Sequence, residues 1–157
     1  MGSARIDALD RKLLDAVQRD NAQTAEALAA RVGLSPSACL RRLRRLRETR
    51  VIEADVALVS PERVGRPLTM LVQVTLERER PDLIDAFKRT MRAATEVMQC
   101  YYVTGETDFV LVVTARSMQE YEAFTNRVFL ENPNIRRFQT QVVMDRVKVG
   151  LAIPVGD

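Results

Sequence analysis

The sequence predicts an α+β chain of two parts, an N-terminal helix-turn-helix domain over residues 1–50 and a C-terminal ferredoxin-like βαββαβ domain over 68–157, with an extended linker over 51–67 between them. Three observations carry this. Residues 1–50 hold 11 Lys+Arg against 6 Asp+Glu, while 51–157 hold 13 against 15, so a basic module precedes a slightly acidic one. The first third shows only helical apolar spacing, broken at a Gly and a Ser-Pro pair. The remainder alternates period-2 and helical patterns in the order β, α, β, β, α, β.

Within the first third, Asp7 is placed to cap a helix whose Leu9, Leu13, Leu14 and Val17 share a face and which ends near Arg19-Asp20-Asn21. A second helix begins at Thr24, groups Leu28, Ala29 and Val32, and stops at Gly33. Ser35-Pro36 supplies an N-cap and an N1 proline for a third helix running to about Thr49. Helix, Gly-containing turn and helix form the helix-turn-helix arrangement.

In the second part, Leu68, Met70, Val72, Val74 and Leu76 fall on one face of a strand. Leu83, Ile84, Phe87 and Met91 make 81–94 an amphipathic helix. Residues 97–103 and 109–115 are β-branched and apolar runs separated by Thr104-Gly105-Glu106-Thr107-Asp108, which predicts a hairpin. Ser117-Met118-Gln119-Glu120 matches a capping box and opens a helix burying Tyr121, Phe124 and Val128, which Asn132-Pro133-Asn134 ends. A last strand is expected from Ile135 to Val149, with a bulge near Asp145 where the apolar phase shifts.

Composition narrows the function. The chain has no His, which removes the commonest general acid/base and zinc ligand, so neither an enzyme, a metal site nor a cofactor is expected. Cys39 and Cys100 stand 61 residues apart, too few and too scattered for a disulfide framework, which fits a reducing cytoplasm. No apolar run reaches membrane-spanning length and no secretory signal opens the chain, so no membrane partner is expected.

The third helix carries five Arg between Arg41 and Arg47. At about 100° per residue, Cys39, Leu43 and Leu46 share the core face, and Ser37, Arg41, Arg44 and Glu48 point away. With this helix in a major groove of double-stranded DNA, Ser37, Leu40 and Arg41 are nominated to meet base edges. Arg42, Arg44, Arg45 and Arg47 are nominated for phosphates, with the cap residue Ser35 beside them. A solvated basic face is the alternative for any charge run; the preceding helix, turn and cap favour DNA.

These residues resemble a known family. Asp10-Arg11-Lys12-Leu13-Leu14, Leu28-Ala29, Val32-Gly33-Leu34-Ser35, Arg41-Arg42-Leu43, Leu46 and Val51-Ile52 look like the N-terminal half of Lrp/AsnC (feast/famine) transcription regulators. The run from Cys100 to Phe109 resembles that family's C-Y-x-V-[ST]-G-D-x-D-[YF] segment, and Thr140 to Met144 with Val147-Lys148 its closing strand. The resemblance spans roughly Ile6 to Pro154. It implies a winged-helix-like DNA reader and a βαββαβ domain for assembly and effector binding. It also implies a cytoplasmic, nucleoid-associated protein of a bacterium or archaeon, acting as a homodimer that builds higher oligomers.

An amino-acid effector is implied in a pocket between subunits, lined by Thr104, Gly105, Glu106, Thr107, Asp108, Thr140 and Gln141. Read without the family, this loop is an ordinary tight turn whose two carboxylates could also hold an ammonium group. The sequence departs from the family at Arg50, where Gly is usual before Val-Ile, so the third helix is expected to lack the usual left-handed cap. It departs again at Glu106 and Thr107, which replace an acidic and an aromatic residue. Two rival readings stay open at this point: an amino-acid-sensing regulatory subunit of a metabolic enzyme, and an architectural DNA-binding protein without an effector.

Overall fold

The computed structural model describes residues 6–156. The chain divides into two compact units, one running to Ala57 and including the tail from Lys148, the other spanning Leu58–Val147.

The first unit holds three helices, α1 (Ala8–Arg19), α2 (Ala25–Val32) and α3 (Pro36–Glu48). Each starts where a side chain can accept an orphan helix amide. Asp7 accepts from the Asp10 amide at 2.8 Å while Asp10 accepts from the Asp7 amide at 3.1 Å, a reciprocal capping box. Thr24 caps α2 and Ser35 caps α3 in the same way. Gly33 ends α2 in the left-handed conformation, φ 78°. Leu13, Leu28, Val32, Cys39, Leu43 and Leu46 meet in one buried core.

The end of α3 differs from expectation. Arg50 itself takes the left-handed conformation at φ 58°. The Arg50 amide donates to the Arg47 carbonyl (3.0 Å) and the Val51 amide to the Leu46 carbonyl (2.9 Å), so the Schellman cap is kept with an arginine in the glycine position. The two hydrogen bonds and the half-buried Val51 and Ile52, packed on the helical core, hold a conformation that L residues avoid. Arg50→Gly is therefore expected to stabilise this unit by about 0.5–1 kcal/mol. The check is thermal unfolding followed by far-UV circular dichroism.

Two boundaries also differ. No paired β-wing accompanies the three helices among the described residues; 53–60 run without strand pairing. The tail from Lys148, expected in the second domain, lies with the helices. Gln18 exchanges both of its amide hydrogen bonds with Ile153, donating to the carbonyl (3.1 Å) and accepting from the amide (2.8 Å). Arg11 Nη1 donates to the Val155 carbonyl at 2.9 Å, and the Val155 side chain packs on the helical core.

The second unit is a four-stranded antiparallel sheet in the order β2-β3-β1-β4, from β1 (Leu68–Leu76), β2 (Val97–Tyr102), β3 (Phe109–Ala115) and β4 (Ile135–Val142). Helices α4 (Pro81–Ala93) and α5 (Met118–Thr125) pack on one face. That face presents Met70, Val72, Val74, Phe109, Leu111 and Val113, all fully buried. The segment 58–67 belongs to this unit: Arg66 donates to the Thr114 carbonyl at 2.7 Å and pairs with Glu120 at 3.4 Å. α5 continues as a π-helical turn, Asn126–Leu130, which buries Val128 and Phe129. Its capping box is half formed, because Glu120 accepts from the Arg116 amide rather than that of Ser117. β4 ends at Val142, not Val149, and the bulge lies at the opposite end, between Thr75 and Leu76.

The other face of the sheet carries no helix of this unit. Gln141 opposes Leu71, Leu71 opposes Val112 and Val112 opposes Gln99, a row with an aliphatic centre; Leu71 is 37% exposed.

Candidate DNA interface and effector site

The outward face of α3 is sorted by ion pairing. Arg42 reaches back to α1, donating to Asp7 at 2.7 Å and to Asp10 at 2.9 Å, and Arg45 donates to the second oxygen of Asp10. Arg47 is held by Asp55 through Nε at 2.7 Å and Nη2 at 3.3 Å. Of the five arginines, Arg41 and Arg44 alone make no ion pair or hydrogen bond among the described residues, and both are exposed. Sequence periodicity nominated Arg42 for a phosphate; its guanidinium is instead enclosed between α1 and α3, where two carboxylates already neutralise it. Arg45 has one arm committed and Arg47 is neutralised by Asp55.

The same contacts set the local electrostatics. Burial, the largest influence, pushes the Asp10 carboxyl up, but hydrogen bonds from Arg45, the Asp7 amide and Arg42 outweigh it and hold the group below its ordinary value. Asp7 is lowered chiefly by its hydrogen bond from Arg42, and Asp55 by that from Arg47. In the sequence Asp10 stands out only as the first residue of the family-like run to Leu14, and its two guanidinium partners lie more than thirty residues away.

Ser35 is engaged as the cap, accepting from the Ala38 amide at 3.3 Å, with Ser37 Oγ 3.2 Å from its hydroxyl. Ser37, Leu40, Arg41 and Arg44 remain displayed, Leu40 at 55% exposure. The face therefore offers two unneutralised guanidinium forks, a hydroxyl and an apolar side chain. That set can pair with phosphate or guanine, accept or donate to a base edge, and touch a thymine methyl.

The seven nominated effector residues do not meet in one subunit. Thr107 Oγ1 donates to the Val74 carbonyl at 2.8 Å, the Asp108 amide donates to the same carbonyl at 3.0 Å, and Asp108 Oδ2 accepts from the Leu76 amide at 2.6 Å. These two residues tie the β2–β3 loop to β1. Thr104, Gly105 and Glu106 are exposed, Gly105 at φ 118°. Thr140 points to the helix-covered face, 2.5 Å from the Tyr121 hydroxyl, a phenol pushed up by burial although Thr140 pulls it back. Gln141 points to the open face. Its partner on β1 is Leu71, three positions or about 10 Å from Val74, and it sits on the other side of β1 from the loop.

Comparison with known proteins decides the family. The AsnC-type helix-turn-helix domain matches residues 6–47 and the Lrp/AsnC ligand binding domain matches 69–153. The chain belongs to the Lrp/AsnC family of transcriptional regulators. It is 59% identical to an uncharacterized HTH-type transcriptional regulator of Sinorhizobium fredii over 96% of this chain and 89% of that one. It is 36% identical to the leucine-responsive regulatory protein of Haemophilus influenzae, over 91% and 86% of the two chains. Among solved structures, a Neisseria meningitidis transcriptional regulator in complex with L-Met superposes with TM-score 0.90 at 31% identity, covering 96% of this chain and 97% of that one. The Lrp/AsnC ligand-binding domain accounts for the βαββαβ unit, and the helix-turn-helix for the helices that display Arg41 and Arg44. No described helix of this regulator is long and apolar enough to cross a membrane.

Proposed function

We propose that this Lrp/AsnC regulator binds double-stranded DNA as a homodimer, inserting α3 of each subunit into successive major grooves, and that an amino acid tunes its assembly or DNA affinity without undergoing chemistry. It works in the cytoplasm of a bacterium or archaeon. The observation that carries the DNA reading is the division of labour on α3: Arg42, Arg45 and Arg47 are paired with Asp7, Asp10 and Asp55, which leaves Arg41 and Arg44 as the unpaired charges of this helix. Arg41, nearer the helix N-terminus beside Ser37 and Leu40, reads bases; Arg44 holds a phosphate. The half-sites lie about one helical turn, or a multiple, apart.

Arg44→Ala is expected to weaken all DNA alike and to make the slope of log affinity against log salt shallower by about 0.9 per subunit. Arg41→Ala is expected to relax sequence preference, at about 1–3 kcal/mol for the position read. Arg42→Ala, in contrast, lowers stability before it touches DNA. Electrophoretic mobility shifts with specific and random duplexes across a salt series separate the three, and an Arg41→Ala protein with unaltered preference ends the base-reading assignment.

For the effector, the free groups of the loop support an amino-acid site: Glu106 receives the ammonium, and the Thr104 hydroxyl and Gly105 amide receive the carboxylate. The L-Met complex of the Neisseria relative supports the same ligand class. Because this loop and Gln141 stand apart in one subunit, the proposal needs a second subunit to close the pocket. Regulation follows when the ligand prefers one arrangement of subunits, since only differential affinity shifts an equilibrium. Calorimetry across the proteinogenic amino acids should show a ligand whose affinity falls about tenfold, or about 1.4 kcal/mol, in Glu106→Gln with no change in melting temperature. Asp108→Ala should lose melting temperature as well, because its carboxylate holds the Leu76 amide. A ligand bound equally by the parent and Glu106→Gln would place the pocket elsewhere.

A further inference from the structure

The C-terminal half of α4 and the edge strand β2 enclose a groove of ≈ 450 Å³. Met91 and Phe109, both buried, form its floor, with Val97 and Cys100 half-buried beside them. Lys88 and Arg92, one helical turn apart, stand at its rim, and no Asp or Glu lines it. Arg92 makes no ion pair or hydrogen bond among the described residues. Lys88 Nζ lies 4.9 Å over the Tyr102 ring and 3.9 Å from Asp85, the latter an exposed pairing at the limit of contact. Both cations act on the Cys100 thiol, pulling it down against the burial that pushes it up, so their charge is felt inside the groove. Neither the loop from Thr104 to Asp108 nor Thr140 and Gln141 contribute to it.

We propose that this groove is a second ligand site, separate from the amino-acid site above, and that it takes a small aliphatic monocarboxylate such as a 2-oxo acid. Arg92 and Lys88 pair with the carboxylate, and the aliphatic chain lies on Met91 and Phe109. The absence of a lining carboxylate gives selectivity: the ammonium of an α-amino acid would meet two cations and no counter-charge, whereas the flat oxo group of the deaminated acid carries none. The volume suits a small metabolite. A regulator with both sites would weigh an amino acid against its deaminated counterpart.

The test uses 4-methyl-2-oxopentanoate and leucine, which share one aliphatic chain and differ only at the α-carbon. On the full-length protein, the oxo acid is expected to give saturable heat in calorimetry and to slow alkylation of Cys100 by N-ethylmaleimide at least tenfold. Cys39, fully buried, serves as the internal unreactive thiol. Leucine is expected to leave the Cys100 rate unchanged even if it binds elsewhere. Combining Lys88→Gln with Arg92→Gln should weaken oxo-acid affinity at least tenfold while the circular dichroism spectrum and mobility-shift behaviour stay as in the parent; Arg92→Lys should recover part of it. Absence of oxo-acid binding, undiminished binding by the double variant, or equal protection of Cys100 by leucine would each overturn the proposal. The amino-acid reading fails separately, by the Glu106→Gln result.

Discussion

Asp10→Ala is expected to cost the helix-turn-helix unit about 2–3 kcal/mol. The carboxylate is fully buried and has three donors: the Asp7 amide at 3.1 Å, Arg42 at 2.9 Å, and Arg45. Its removal opens the capping box, leaves Arg45 without its acceptor and leaves Arg42 with Asp7 alone. A fully buried pair broken in this way costs about 3–5 kcal/mol. Here the side chains of Arg42 and Arg45 are 24% and 45% exposed, so both can rehydrate, and the loss falls below that range.

The sign of the pH dependence follows from the same geometry. Asp10 is held below its ordinary value when folded, so its contribution is fully present above the unfolded pKa of about 3.9 and is lost as pH falls through the folded one. Asp7, lowered chiefly by Arg42, acts in the same direction. Melting temperature measured by far-UV circular dichroism should fall for the parent below about pH 4, and less steeply for Asp10→Asn, which starts lower. Identical acid profiles for the two proteins would mean that Asp10 does not carry the linkage.

The parts of the fold governed by neighbouring residues were legible before the structure. Asp7, Thr24, Ser35 and Ser117 start helices because each needs only an amide two or three residues away, and the βαββαβ order follows from periodicities within single elements. What escaped was set by residues distant in sequence. The phase shift after Val142 reads as a bulge, yet the strand pairing of β4 with β1 ends there, closed by the Val143 amide on the Thr69 carbonyl, and only the tail from Lys148 belongs to the other unit. The helical wheel already points Arg41 and Arg44 outward, but the pairing of Arg42 and Arg45 with Asp7 and Asp10 depends on the position of α1. Arg50 shows the reverse: the residue departs from the family's glycine, but the backbone hydrogen bonds from Arg50 and Val51 impose the same left-handed turn. In the β2–β3 loop, Thr107 and Asp108 follow the plainer turn reading, since both bond β1, and Glu106 is the acid of the loop with no such bond.

The second large effect concerns assembly. Val112→Lys is expected to convert the proposed dimer to a monomer, raising the dissociation constant at least a hundredfold. Val112 sits at the centre of the open sheet face, with Leu71 beside it on β1 and Gln99 on β2. Both helices of the unit cover the opposite face, so these aliphatic groups find no cover within it, and a second copy of the same face is the symmetric solution. A stable contact of this kind removes about 800 Å² from each partner, which a sheet face of four strands can supply. Near the two-fold axis, one lysine per subunit puts two ammonium groups against each other in a desolvating interface, a juxtaposition that costs several kcal/mol. In the monomer the same lysine lays its stem on Leu71 and keeps its charge in water, so the fold itself should survive. Light scattering coupled to size exclusion at micromolar concentration should therefore give twice the chain mass for the parent and the chain mass for the variant, with matching circular dichroism spectra. The variant should also lose the preference for paired half-sites over single ones while Arg41 and Arg44 still bind each half-site weakly. A parent that is monomeric, or a variant that stays dimeric, would exclude this face as the interface.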